Sequence, residues 1–327
     1  MTAEHKVLVV LMNVKFWVKQ FIEFIHLIKL EVFISNGVSI MSEMQNIQWF
    51  PGHMKKTERQ IEKVLPLIDA VAEIVDARIP VSSRNPELTG IVAGKPRIIL
   101  LNKCDIADKD ATDSWIKKYK SEGIMAIPMD CRSGKGVDFF VKSVKELLKG
   151  KLESYDKKGM TGKPLRVMVV GIPNVGKSSF INRMSKLSKA HVADRPGVTR
   201  GNQWFKIDER LELLDTPGVL WPKFEDQKVG EHLAFTGAIK DDVVDKELLA
   251  VRLLECMQKD YSDRLKERYK VEPSEYYDAY DLLLAIGKKR GMIVRGGEVD
   301  SERTSTMLLD EYRGGKLGNI TLEMPED

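Results

Sequence analysis

Cysteine is scarce in this chain. Only Cys104, Cys131 and Cys256 occur in 327 residues. So few and so widely spaced, they exclude a disulfide framework and the paired spacing of a zinc site, and they fit a reducing compartment. Long uncharged apolar runs are also missing. The most apolar stretch, residues 1–40, is broken by Lys15, Lys19, Glu23, Lys29 and Glu31, short of the roughly 18 to 20 residues a membrane span needs. It has no small-residue cleavage site, which argues against a secretory signal; its few acids leave room for an organelle-targeting helix, which should however be rich in Arg and Ser, and the stretch has no arginine. No stable membrane association is expected, and a cytoplasmic location is. Two readings of residues 1–40 stand: extra sequence upstream of a start at Met41 or Met44, or an amphipathic helix for a membrane surface or a partner.

What is present is an ordinary globular composition, 43% apolar and 31% charged, with length for about two domains. The formal charge of +4 is uneven: residues 230–327 carry net −6 and residues 1–229 net +10. From Trp49 to Phe224, short apolar runs bounded by turn or polar residues recur: "DAVAEIVDA" (69–77), "PRIILLNKCD" (96–105), "GIMAIPMD" (123–130) and "PLRVMVVGIP" (164–173). They alternate with helix-like stretches at 110–123 and 136–153, the pattern of a mostly parallel, doubly wound sheet wrapped by helices. "ESYDKKGMTGKP" (153–164) reads as a linker. Beyond Phe224 only helical spacing recurs, so a small all-α domain follows. The expected segments are 1–40, 41–223 and 224–327.

The chemistry sits in a few short motifs. "GIPNVGKS" satisfies G-x-x-x-x-G-K-[ST] between a strand-like and a helix-like segment. Its glycines let backbone N–H groups from Asn174, Val175 and Gly176 through Ser179 close around phosphate oxygens. Lys177 reaches the β and γ phosphates, and Ser178 offers a hydroxyl to Mg²⁺. "LELLDTPG" (211–218) supplies Asp215, placed to hold Mg²⁺ through water, and Gly218, whose N–H can sense the γ-phosphate. Thr199, in "DRPGVTRG" (194–201), is expected to complete the Mg²⁺ shell. In "LLNKCD" (100–105) the Asp105 carboxylate can accept from N1–H and N2–H₂ of guanine, a pair that adenine lacks. Lys103 would lie along the base, Asn102 would tie this loop, which includes Cys104, to the phosphate loop. "MDCRSGKG" (129–136) offers Asp130 and Cys131 around guanine O6; an ordinary strand-to-helix loop is the other reading. Together these define a site for GTP or GDP with Mg²⁺.

The order of the motifs is unusual, because the guanine elements precede the phosphate loop. The five elements run G4, G5, G1, G2, G3, so a P-loop GTPase domain is circularly permuted, with 153–164 joining the old ends and the new cut just after Gly218. The loop that reports the γ-phosphate then runs straight into the helical domain.

On these residues the chain resembles the circularly permuted ribosome-assembly GTPases of the YlqF/RbgA type. The resemblance runs from about Ile47 to "GGKLGNITLE" and includes "QWFPGHM", "DARIP", "LNKCD", "GIPNVGKSS", "DRPGVT", "DTPG" and "AFTGAI". It implies binding to an immature large ribosomal subunit, GTP hydrolysis stimulated by that subunit, and a C-terminal domain that contacts ribosomal RNA. Val219 stands where many GTPases carry a glutamine that orients water, and valine cannot do so. The resemblance places a catalytic histidine at His53 in "FPGHM"; contact with RNA phosphate or helix capping is the other reading. Asn174 either marks a K⁺-activated type or shapes its loop.

Basic residues cluster at Lys55, Lys56, Arg59 and Lys63, and at Lys288, Lys289, Arg290, Arg295 and Arg303, which suits phosphate contacts. Charge alone does not distinguish these from solvated faces. A monomer is expected. The rival functions are a switch that recruits a protein partner, and a GTPase of tRNA modification or of a membrane.

Overall fold

Five strands take their places from apolar runs too short for helices. In the computed structural model, which describes residues 53–187, 192–193 and 203–325, these are β1 (Ala70–Asp76), β2 (Arg97–Asn102), β3 (Met125–Met129), β4 (Leu165–Val170) and β7 (Leu211–Asp215). All seven residues of β1 are buried, as expected of a central strand covered on both faces. α1 (His53–Val64) precedes them, and between them lie α2 (Pro86–Ile91), α3 (Lys109–Ser121), α4 (Val137–Leu147), α5 (Lys149–Lys157) and α6 (Lys177–Leu187). Two further strands, β5 (Val192–Ala193) and β6 (Gln203–Asp208), complete a seven-stranded sheet in the order β3-β2-β1-β4-β7-β6-β5. Pairings from β3 to β7 are parallel, and β6 is antiparallel to both neighbours.

The strand order explains the position of the site. From the β1/β4 pair the chain winds outward in both directions, which makes that pair a topological switch point, where ligands bind beyond the carboxyl ends of the strands. β1, β2, β3, β4 and β7 are mutually parallel, so Asp76, Asn102, Met129, Val170 and Asp215 all end at one sheet edge. The motifs therefore converge although they are scattered in sequence.

Two expectations need correction. The segment 153–164 is not a linker throughout: α5 runs to Lys157, and the break between helices falls at Leu148. Tyr155 is buried there, with the Lys163 ammonium 4.7 Å from its ring centre, and that anchor holds the last turns in helix. The strand β6 also went unseen in the sequence. It turns back on β7 through residues 209–210, with Trp204 and Ile207 buried.

The C-terminal part consists of α7 (Gln227–Phe235), α8 (Lys246–Asp260), α9 (Ser262–Tyr269), α10 (Ala279–Lys289) and α11 (Ser301–Arg313). Aspartates start four of them by accepting a backbone N–H: Asp226 from Lys228, Asp245 from Leu248, Asp278 from Tyr280 and Asp300 from Arg303. α8 packs against α10 and α11, and Leu253, Leu254 and Met257 of α8, Leu282 and Ile286 of α10 and Leu308 of α11 are all fully buried. The apolar core continues without a break from the sheet into these helices, and Ile47–Asp327 forms one compact unit. Among the described residues no helix is long and apolar enough to cross a membrane. Residues 1–40, with the alternative starts at Met41 and Met44, and Thr199 lie outside the described residues.

Candidate nucleotide-binding site

The phosphate loop is built by close backbone approach. It leaves β4 at Gly171 and enters α6 at Lys177. Gly176 has φ of 105°, and a Cβ there would strike the Asn102 amide, so this position requires glycine. Lys177 is buried and folds back on its own loop, donating to the Gly171 and Ile172 carbonyls at 3.0 and 2.9 Å. Burial pulls its ammonium down to about 8, and the nearby Asp215 carboxylate works in the opposite direction. Ser178 and Ser179, in the first turn of α6, are exposed.

Asp215 ends β7, paired with Val169 of β4. Burial raises its carboxyl, and the Lys177 charge draws it back. Its Oδ1 is buried with no hydrogen-bond partner. An orphaned carboxylate oxygen and an exposed serine hydroxyl are hard oxygen donors of the kind Mg²⁺ selects, so these residues fit that ion. Gly218 lies hard against the phosphate loop, where a Cβ would meet Pro173 N and Lys177 Nζ, each at 2.9 Å. Val219 is fully buried, and its carbonyl accepts from Asn85 Nδ2 at 3.2 Å. Buried and without a side-chain donor or acceptor, it does not replace the missing glutamine.

The base-side loops are joined through Asn102. Its Nδ2 donates to the Val175 carbonyl at 2.6 Å and its Oδ1 accepts from Cys131 N at 3.0 Å, so one side chain ties the guanine-type loop to the phosphate loop and to the 130–136 loop. The Cys131 thiol is pushed up to about 12, chiefly by burial and then by Asp130. Asp130 spends its carboxylate inside its own loop, accepting from Arg132 N and Ser133 N at 2.8 and 3.2 Å. Burial opposes ionisation there, yet the Ser133 and Arg132 hydrogen bonds hold it below the usual carboxylate range. What this loop can offer a base is therefore backbone. The Asp105 carboxylate is exposed and pairs with the Arg132 guanidinium at 3.2 Å. Cys104 N donates to Met129 O at 3.1 Å, which fixes the start of the same loop on β3.

Lys103 has φ of 63°, uncommon for a residue with a side chain. It is held by Asp76, whose carboxylate lies 2.8 Å from Lys103 Nζ and also takes Arg78 Nε and Nη2 at 3.0 and 2.9 Å. Burial alone would raise the Asp76 carboxyl; Arg78 and Lys103 outweigh it and hold it well below the usual range. Sequence reasoning had not assigned Asp76 and Arg78 a role at the site. Their signal was an Asp and an Arg two positions apart at the end of the apolar run "AEIVDAR".

Two contacts connect the site with its surroundings. Asn174, with φ of 61°, donates from Nδ2 to the Gly237 carbonyl just beyond α7. Met54, one residue into α1, has its sulfur 3.4 Å from Leu220 N, which sets the start of that helix beside the segment that follows Gly218. The His53 side chain lies outside the described part of the structure.

A phosphate loop, an aspartate at the end of the adjacent parallel strand and a base loop that precedes both in the chain define a circularly permuted P-loop GTPase. The comparisons agree. Residues 166–274 match a family profile described as 50S ribosome-binding GTPase; the match starts at the phosphate-loop strand and leaves out the base loop upstream. The chain is 49% identical over 283 residues to ribosome biogenesis GTPase A of Bacillus cereus, covering 86% of this chain and 95% of that one. A GDP-bound structure of TM YlqF aligns with TM-score 0.60 and 28% identity, over 82% of this chain and 100% of the other. A GNP-bound YlqF from T. maritima aligns with TM-score 0.58 and 27% identity, over 83% and 99%. The chain belongs to the ribosome biogenesis GTPase A family and is a GTP hydrolase.

Proposed function

We propose that this protein binds GTP with Mg²⁺ and hydrolyses it while assisting late assembly of the large ribosomal subunit, with hydrolysis stimulated by that subunit. The observation that carries this reading is the direct passage from Gly218 through the buried Val219 into the helical part. A loop that responds to the γ-phosphate thereby moves the surface offered to ribosomal RNA and proteins. Residues 174–179 and Gly218 hold the phosphates; Asn102, Lys103, Cys104, Asp105, Asp130 and Cys131 surround the base. Ser178, Asp215 and Thr199 would hold Mg²⁺, which would supply positive charge to offset the negative charge of the phosphates.

In hydrolysis a water oxygen attacks the γ-phosphorus as the bond to the β–γ bridging oxygen breaks, releasing GDP and inorganic phosphate. With Val219 buried, His53 positions that water through a neutral imidazole; the contact between Met54 and Leu220 N supports its place at the start of α1. A K⁺ ion near Asn174 Oδ1 would add positive charge to the same region, and the Nδ2 contact with Gly237 leaves that oxygen available in orientation. The protein acts as a cytoplasmic monomer.

GTPase rates with and without purified large subunits, wild type against His53→Ala, test this reading. The expected result is stimulation by subunits that drops on the order of tenfold or more in the variant. Equal stimulated rates remove His53 from the mechanism. Failure of the wild type to co-sediment with subunits in a non-hydrolysable GTP analogue overturns the ribosomal role.

A further inference from the structure

We propose that the C-terminal segment 314–323 belongs to the support of the guanine site, with Asn319 as a positioning residue for Asp105. This rests on the assignment of Asp105 as the guanine reader.

The loop between β2 and α3 is short, and the tail satisfies its main chain almost atom by atom. Asn319 Nδ2 donates to the carbonyls of Asp105 and Ala107 at 3.2 and 2.9 Å. Ile320 N donates to Ile106 O at 3.2 Å, and Asp108 N donates to Thr321 Oγ1 at 3.0 Å. Gly315, with φ of 74°, lies so close that a Cβ would strike Ile106. The tail is in turn fixed to the helical part, since the Tyr261 hydroxyl donates to Thr321 O at 2.8 Å. A second connection runs from Lys103 through Asp76 to Arg78, whose Nη1 donates to Tyr312 O at 3.1 Å at the end of α11. Of the two residues expected to touch the base, Asp105 is thus one contact from the tail and Lys103 three contacts from the last helix.

The physical consequence is selective. Asp105 must hold its carboxylate where N1–H and N2–H₂ of guanine arrive, and a loop left to reorder on binding loses affinity in proportion. Freeing it weakens base contacts and leaves the phosphate contacts as they are. A partner that draws the tail away would loosen guanine recognition from a distance.

The test uses the full chain and measures GDP and IDP affinity by calorimetry; IDP lacks the N2 amino group. In Asn319→Ala, GDP affinity is expected to fall about three- to tenfold and IDP affinity less, so that the GDP/IDP ratio drops. Thr321→Val, isosteric and lacking the contact with Asp108 N, shifts the ratio the same way. General loosening lowers both affinities by the same factor, because it only reduces the competent fraction; Gln258→Ala, which unties Pro273 O and Tyr276 O in the helical part, serves as that control and keeps the ratio. An unchanged ratio in both tail variants, with a collapsed ratio in Asp105→Asn, overturns the role of the tail. An unchanged ratio in Asp105→Asn overturns the assignment of the reader itself.

Discussion

Replacing Arg78 by methionine should expose how much of the fold hangs on one buried charge. Asp76 and Arg78 are 1% exposed each, and Arg78→Met leaves the Asp76 carboxylate with Lys103 alone. Breaking a buried pair from one side costs about 3–5 kcal/mol. The remaining lysine moves the figure toward the lower end, while loss of the hydrogen bond to Tyr312 O and of the stacking 4.9 Å above the Tyr312 ring adds about 1 kcal/mol each. A total of about 5 kcal/mol lowers Tm by roughly 10–20 °C in a protein of this size. The pH dependence gives the sharper check. In the wild type the Asp76 carboxyl is depressed, so its contribution is present above the unfolded carboxylate value of about 3.9 and is lost as pH falls through the depressed value. In the variant burial raises that carboxyl, so its penalty is present at neutral pH and is relieved as pH falls. Thermal unfolding at pH 7 and pH 5 should show the deficit shrinking at pH 5. A loss under about 1 kcal/mol, or a deficit equal at both pH values, would refute the account of this pair.

Glu58 in α1 sits at about 7, raised first by burial and then by the Glu87 carboxyl bonded to it. A folded value above the unfolded one means a penalty that grows as pH rises between the two, so Glu58→Gln should raise Tm at pH 8 and leave it unchanged at pH 4 when measured by calorimetry. Asn102→Ala should weaken GDP and IDP alike, by about tenfold in titration calorimetry, because the hydrogen bonds to the Val175 and Cys131 backbone are lost together. Val219→Gln should not accelerate hydrolysis in a phosphate-release assay and should lose about 1–3 kcal/mol of stability in urea, since it buries an amide where no space opens to solvent.

How far the sequence could be read depends on the range of the interaction. The phosphate loop was legible because strand, loop and helix are contiguous and each glycine has a local reason to be there. The role of Asn102 as a tie between loops was also legible, because a motif fixes both of its partners. β6 was missed because a six-residue strand has little periodicity to read. The continuation of α5 past Glu153 was missed because its stabilising contact, Lys163 against Tyr155, comes from beyond the helix. Arg78 with Tyr312, Asn319 with Asp105 and His232 with Glu323 join positions far apart in the chain. No local pattern encodes such pairs; they exist only once the last helix has docked.

The strand order also matters while the chain is being made. A ribosome releases β1, β2 and β3 well before β4, so three of the seven strands can pair while the edge of β1 stays open. That edge belongs to a strand buried along its whole length, and an uncovered apolar edge is a template for unwanted pairing. In a GTPase of ordinary order the phosphate-loop strand comes first and has nucleotide-binding neighbours early. Here the nascent chain must wait for its centre, and residues 130–164 set the delay.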